Sequence, residues 1–339
     1  MPNLASNAAS PRLAIVTIGR NEGARLRRCL DSVAGQVSPV VYVDSGSTDG
    51  SPELARGQGA RVVELDRSIP FTAARARNEG LAEALRLAPD AQCVQFVDGD
   101  CEVVAGWLER GVRALSEDPG LAVVCGRVRE RERDRSVYNL LCDLEWNAPP
   151  GEVGSCGGNA MVRVKAFLEV GGFDARLIAG EEPELCVRLR GRGWRILRCQ
   201  EDMVFHDSAM TRFGQWWRRT LRGGWAYAEG ASIHGSSPER HWVRENLSIA
   251  FWGALLPGAA LVLVLPSCGT SLLLLVAYPI LAARIYARAV RAGVPARDAR
   301  LQALFTVLGK LPQAIGQAQF AVLRSLGRAR RVVDWRVAG

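Results

Sequence analysis

The sequence predicts an α/β protein with a mostly parallel sheet flanked by helices, plus membrane-associated helices toward its C-terminal end. Three observations predict it. Strand-like apolar runs alternate with helical patterns across short connections, the signature of a parallel sheet covered on both faces. Asn21, Asp44 and Asp98 each lie just after such a run, at the strand ends where ligands bind in sheets of this kind. From Asn246 to Ala283 no charge occurs for 38 residues.

The elements follow in order. Residues 1–11 read as a polar tail, with neither the basic nor the apolar region of a signal peptide. Leu13 to Ile18 is an apolar run of buried-strand type, with Thr17 within it. Asn21 is placed to cap the next helix, where Leu26, Cys29, Leu30 and Val33 recur at helical spacing. Val40 to Val43 is a second strand. Ser51-Pro52 opens a second helix, with Pro at its first position and Ser51 or Asp49 as cap. Arg61 to Leu65 is a third strand, and the Ala-rich stretch 72–87 is helical. Val94 to Val97 is a fourth strand, running into Asp98-Gly99-Asp100. A helix around Trp107, Leu108, Val112 and Leu115 leads to the strand Ala122 to Val124. The alternating charges of Arg127 to Arg135 read as solvated. Then come a helix over 137–146, a Gly-rich stretch over 151–158, and strand, helix, loop, helix and strand over 160–200.

After Glu245 the character changes. Pro266 to Thr270 interrupts the uncharged run with turn chemistry. Each half is near the ~17–20 residues that cross a bilayer. The run reads as a transmembrane hairpin over 246–288, the alternative being a buried soluble hairpin. Arg284, Arg288, Arg291, Arg297 and Arg300 follow the second half, which puts the large domain and the tail on the cytoplasmic side. Residues 301–323 are apolar around Lys310 and Pro312. A lysine at mid-depth is costly, so an interfacial helix is preferred there to a third span or a re-entrant segment. Within 206–245, Trp216, Trp217, Arg218, Arg219, Arg222 and Trp225 form either an interfacial patch or ordinary packing, with nothing local to decide.

Charge and cysteine usage bound the function class. The net charge is +8, and from Arg284 to Gly339 eleven Lys or Arg face only Asp298 and Asp334. The basic balance therefore belongs to the region 289–339 and its approach, which suits a membrane surface; no nucleic-acid partner is expected. Nine cysteines occur without a CxxC pair or zinc spacing, which favours a reducing compartment.

Four local patterns could carry chemistry. In Phe96-Val97-Asp98-Gly99-Asp100, two carboxylates at a strand exit can share a hard cation that bridges phosphates; an ordinary Asp-Gly turn looks the same. In Val43 to Gly50, Asp44 can accept from a ribose hydroxyl or a base N–H, or merely shape a polar loop. Arg75, Arg77, Asn78 and Gly80 offer phosphate or base recognition through the guanidinium fork, or a solvated helix face. In Gly180 to Leu185, acids at a helix start can supply a general base, or simply answer the helix dipole.

Taken together and in order, the segments 18–22, VDSGSTDG (43–50), ARARNEG (74–80), FVDGD (96–100), GGNAMVRVKAFLEVGGFD (157–174) and GEEPELCVRLRGRGWRI (180–196) resemble the family 2 glycosyltransferases. The resemblance covers about residues 12–200 and implies the GT-A fold, with a domain over 12–205 divided into a nucleotide-sugar half (12–125) and an acceptor half (126–205). It implies inverting transfer from a nucleoside-diphosphate sugar of UDP or GDP type. Asp44 would contact the nucleoside, with Ile18 and Glu22 beside it, and Arg77 and Asn78 would line the nucleotide pocket. Asp98 and Asp100 would hold Mg²⁺ or Mn²⁺ and the diphosphate, with His206 as a further ligand; a lone histidine is otherwise structural. Gly157, Gly158 and Asn159 would border the donor sugar or acceptor. Glu182 falls where the family has the Asp of its Glu-Asp pair, the catalytic base, with Glu181 as the alternative. The chain departs from the family at Ile18-Gly19-Arg20, where Pro-Thr-Tyr is usual, and at Ser45, where a second Asp is usual.

The resulting expectation is a membrane-attached glycosyltransferase on the cytoplasmic face of a bacterial inner membrane. It would add single sugars to a lipid-linked or growing exopolysaccharide acceptor. A nucleotidyltransferase of related fold and a non-catalytic membrane scaffold are the alternatives.

Overall fold

The computed structural model describes residues 12–327. The polar tail over 1–11 and the last part of the basic C-terminal region, 328–339, lie outside the described residues. The chain divides into two units, residues 1–132 with 145–208 and residues 133–144 with 209–339.

The first unit is built on one nine-stranded sheet. Its strands are β1 (Leu13–Gly19), β2 (Val40–Asp44), β3 (Arg61–Glu64), β4 (Cys93–Asp98), β5 (Cys101–Val103), β6 (Leu121–Glu130), β7 (Gly151–Glu152), β8 (Ala160–Arg163) and β9 (Arg195–His206). The order is β3-β2-β1-β4-β8-β6-β9-β5, with β7 on β9. Its helices are α1 (Ala24–Val33), α2 (Ser51–Gly57), α3 (Ala73–Leu87), α4 (Trp107–Glu117), α6 (Val164–Glu169) and α7 (Glu181–Gly191), while α5 (Val137–Trp146) belongs mostly to the second unit.

The half from β3 to β4 is parallel, as its continuous apolar runs require. Ala14, Ile15 and Val16 in β1 are wholly buried because helices cover both faces. Beyond β4 the sheet turns mixed: β8 runs antiparallel to both β4 and β6, while β6 and β9 are parallel. A parallel neighbour needs a crossover of roughly a dozen residues or more. β5 follows β4 after a two-residue turn, and it pairs antiparallel with β9 instead.

Two local expectations are corrected. Asn21 does not cap α1; it sits at φ 57, its Oδ1 accepts the Thr48 N–H at 2.8 Å, and Gly23 holds the cap position. The charged run at Arg127 is not wholly solvated, because its first four residues complete β6 and Glu130 is buried.

The second unit contains α8 (Phe213–His234), α9 (Val243–Ala250), a π-helical segment (Phe251–Leu255), α10 (Leu256–Val262), a 3₁₀ segment (Thr270–Val276), α11 (Ala277–Arg291), α12 (Ala296–Leu308) and α13 (Lys310–Ser325). Two continuous helical stretches, Val243–Val262 and Thr270–Arg291, are long and apolar enough to cross a membrane by length and composition. The apolar segment 301–323 is instead broken at Gly309 into α12 and α13, of 13 and 16 residues, short of the ~17–20 a span needs. Helices α8 and α13 approach so closely that a Cβ on Gly316 would collide with the Leu221 carbonyl. Trp216 and Trp225 are buried, their rings edge-on to Phe305 at 5.0 Å and Phe320 at 5.3 Å. Packing within this unit therefore accounts for those two indoles.

Candidate functional site

The carboxyl ends of β2, β1 and β4 form one rim. Gly19 pairs with Asp44, and Ile18 with Asp98, so two carboxylate-bearing strands flank β1 about 10 Å apart, twice the strand spacing. Asp44 is buried and heavily used. Its Oδ2 accepts from Gly46 N at 2.9 Å and Ser47 N at 2.7 Å, and its Oδ1 accepts from the Tyr42 hydroxyl at 3.0 Å. That occupies three of the roughly four acceptor positions of a carboxylate. Burial, followed by the Asp44 charge, drives the Tyr42 hydroxyl pKa up, so it stays a donor. Asp44 thus shapes the 46–48 loop, and Asn21 staples that loop to the end of β1. Glu22 closes the gap between strands: it is buried, ion-paired to Arg25 at 2.7 Å, and lies against Gly19 and Gly99.

Arg77, on α3, ties the second part together. One terminal nitrogen donates to Asp98 Oδ1 at 2.8 Å and the other to Glu181 Oε1 at 2.7 Å. The guanidinium is 3% exposed and its Nε has no hydrogen-bond partner among the described residues. Asn159 Oδ1 accepts from Asp98 N at 2.9 Å. Gly158 lies on this pair so tightly that a Cβ there would stand 2.7 Å from Arg77 Nη2 and 3.0 Å from Asp98 Oδ2. Asn78 is spent differently from expectation: both ends of its amide bond the Phe173 backbone, at 2.8 and 3.0 Å, so it splints a loop. Arg75 likewise holds the 66–69 loop, donating to the Asp66 and Ile69 carbonyls, and pairs with Glu79.

At the start of α7 the two glutamates diverge. Glu181 faces Arg77, while Glu182 is buried. Its Oε1 accepts from Cys156 N, one residue before Gly157, and from Cys186 Sγ at 3.1 Å. Cys156 and Cys186 lie 3.8 Å apart at their sulfurs. Burial pushes the Cys186 thiol up to about 11, so it is a neutral donor. Sequence reasoning missed this thiol setting, although Cys186 stands four residues from Glu182 on one helix face.

The third cluster gathers at Asp100. Because His206 ends β9 opposite Cys101 of β5 and Glu130 of β6, its ring falls between Asp100 and Glu130. Nε2 lies 3.6 Å from Asp100 Oδ2 and Nδ1 lies 3.3 Å from Glu130 Oε2. Burial alone would lower the imidazole pKa, but Asp100 and Glu130 outweigh it and raise it. The donor set fits a divalent cation: ligand atoms of Asp100, Cys101 and His206 lie within 4.8 Å of one another. Burial keeps the Cys101 thiol protonated, which leaves the hard carboxylate and the borderline imidazole as the donors. Asp98 turns instead to Arg77. The structure brings together residues 98–100, 157–159, 181 and 206; Glu182, which the resemblance gives as the base, has its Oε1 held by Cys156 N and Cys186 Sγ. It adds Glu130, which the reading of a solvated charge run overlooked; strand alternation marks it, since it shares the inward face of Val128.

Two family models match the chain, Glycosyl transferase family 2 over residues 14–171 and Glycosyl transferase family group 2 over residues 94–287. The glycosyltransferase AglE of Haloferax volcanii is 26% identical over 230 residues, covering 63% of this chain and 72% of that protein. The pre-mycofactocin glycosyltransferase of Mycobacterium tuberculosis is 30% identical over 236 residues, covering 66% of this chain and 48% of that protein. The chain thus spans about half the length of the latter. Among solved structures, the mannosyltransferase PcManGT from Pyrobaculum calidifontis, in complex with GDP-Man and Mn²⁺, superposes with a TM-score of 0.60 at 19% identity, over 92% of this chain and 88% of that one. That likeness is one of fold, and the fold is GT-A.

Proposed function

Because the chain belongs to the family 2 glycosyltransferases and is a glycosyltransferase, we propose that it moves a sugar, with inversion, from a nucleoside-diphosphate sugar to a hydroxyl of a lipid-linked or polysaccharide acceptor. That membership leaves no place for the nucleotidyltransferase and scaffold alternatives.

The observation that carries the reading is the placing of Asp100 beside His206 at the rim where Arg77 joins Asp98 to Glu181. Asp100 and His206 would hold Mg²⁺ or Mn²⁺, with Asp98 next to them; the Mn²⁺ of the mannosyltransferase of like fold supports this. When bound, the cation offsets charge gathering on the diphosphate. The Gly46–Thr48 loop, shaped by Asp44, receives the nucleoside, and the Gly157–Asn159 loop borders the sugar. Glu182 takes the proton of the acceptor hydroxyl as its oxygen bonds to the anomeric carbon. The bond from that carbon to the diphosphate oxygen breaks, and its electron pair leaves with the nucleoside diphosphate. Nothing in this arrangement calls for a covalent sugar intermediate.

The two apolar helical stretches of the second unit support attachment to a bilayer, where a lipid-linked acceptor resides. The cationic flank after Arg284 supports a cytoplasmic face of the inner membrane as the working side. The test is incubation of the full-length chain with a panel of labelled UDP- and GDP-sugars, Mn²⁺ and membrane extract. Release of nucleoside diphosphate with label entering the acceptor fraction supports the reading, and a panel with no turnover counts against it.

A further inference from the structure

A buried carboxylate needs hydrogen bonds to repay its desolvation. The Glu130 side chain is fully shielded from solvent, and none of the proposed catalytic steps uses it. It ends β6, in register with His206 of β9, and both strands run the same way. Its Oε2 is 3.3 Å from His206 Nδ1, and both its oxygens accept from Ser208 N at 3.3 Å. On the far side of the ring, Nε2 is 3.6 Å from Asp100 Oδ2, beyond hydrogen-bond length. The Trp146 ring stands edge-on to the imidazole at 4.7 Å and limits its rotation.

We propose that Glu130 is a positioning residue for the cation site: it accepts the Nδ1–H of His206 and so keeps the Nε2 lone pair turned toward Asp100. This rests on the reading of Asp100 and His206 as cation ligands. A carboxylate behind a ligating imidazole sets its tautomer and its orientation, and it strengthens the ring as a donor. Without Glu130 the neutral ring is free to carry its proton on Nε2, where it blocks the cation.

Two measurements on the full-length chain test this. The first is the ¹⁵N signature of His206 in the metal-free wild type, at a pH that keeps the ring neutral; with three histidines in the chain the spectrum is simple. The proton is expected on Nδ1, and a proton on Nε2 overturns the proposal. The second is Mn²⁺ titration followed by electron paramagnetic resonance. Glu130→Ala is expected to weaken Mn²⁺ binding by about 10–100-fold, and Glu130→Gln, which keeps an acceptor oxygen, to restore most of it. A merely structural role would lower the melting temperature of Glu130→Ala and leave both tautomer and Mn²⁺ affinity alone. Wild type that binds Mn²⁺ no better than Glu130→Ala overturns the positioning role only. Wild type that binds no Mn²⁺ at all overturns the cation site beneath it.

Discussion

Arg77 and Asp98 are joined at 2.8 Å between α3 and the end of β4, and the same guanidinium reaches Glu181 on α7 at 2.7 Å. One buried cation therefore fixes the relative placing of three elements, each of which brings a different functional segment to the rim. Removing it leaves two carboxylates facing each other across the space it filled. Arg77→Met is expected to destabilise the protein by about 3 kcal/mol, at the low end for a broken buried pair because Asp98 is partly exposed. Arg77→Lys keeps the charge but cannot span both acids with a planar fork, and is expected to fold while losing sugar transfer. Thermal unfolding beside nucleoside diphosphate release measures both.

The proposed cation site predicts a coupled loss. Asp100→Asn and His206→Ala each remove one donor without touching the Arg77 pair. Both are expected to abolish saturable Mn²⁺ binding and to cut kcat on the order of a hundredfold. Calorimetric titration of Mn²⁺ alongside initial rates checks this, and full activity in Asp100→Asn would remove that residue from the site.

The two glutamates of α7 are expected to separate kinetically. Glu182→Gln keeps an acceptor oxygen for Cys156 N, so the fold and donor KM should hold while kcat falls about 10²–10⁴-fold. Glu181→Gln weakens the hold on Arg77 and should appear chiefly as a lower melting temperature and a higher donor KM. The reverse pattern would move the base role to Glu181.

Much of this architecture was legible because buried parallel strands advertise themselves. β1, β2 and β4 read as largely apolar runs, and the polar residue at or just after the end of each one marks the rim. What escaped was set by partners across the sheet. Glu130 and His206 are neighbours only because β6 and β9 pair in register, which no local pattern states. Asn21 and Asn78 were legible as polar side chains at the right places. Their actual bonds, to Thr48 and to the Phe173 backbone, depend on loops closing from elsewhere in the chain. Trp216 and Trp225 show the same limit: an indole that packs on Phe305 or Phe320 has the same sequence signature as one at a lipid headgroup.

Helix α3, which carries Arg77, is anchored to β3 by Glu83. That carboxylate accepts from Arg86 at 2.8 Å and from Arg61. The hydrogen bond from Arg86, with a further one from Arg61, holds its pKa at about 2, below its ordinary 4.5. A depressed carboxylate stabilises the fold fully above its ordinary value, and the contribution is lost as pH falls through the folded one. The stability difference between wild type and Glu83→Gln should therefore be largest near neutrality and shrink as pH falls from about 5 toward 2. Urea midpoints measured across that window check it; a difference that stays constant down to pH 2 would contradict the assignment.

The second unit makes its own prediction through side chains it leaves bare. Val262 is 77% exposed and Leu273 71%, on helical stretches whose length matches a bilayer, and Leu265, in the turn between them, is 89% exposed. In water each such leucine forgoes about 1.5–3 kcal/mol of burial, so a surface this apolar calls for a hydrocarbon neighbour. The full-length chain should float with anionic phospholipid vesicles in a density gradient. Ile280→Arg, at the middle of Thr270–Arg291, costs about 2.5–3.5 kcal/mol at the centre of a spanning helix and should lower the floating fraction. A chain lacking residues 246–288 should lose flotation while its first unit still binds the sugar nucleotide, since every rim residue lies before position 209. Wild type that stays monodisperse without detergent and never floats would detach this enzyme from the membrane.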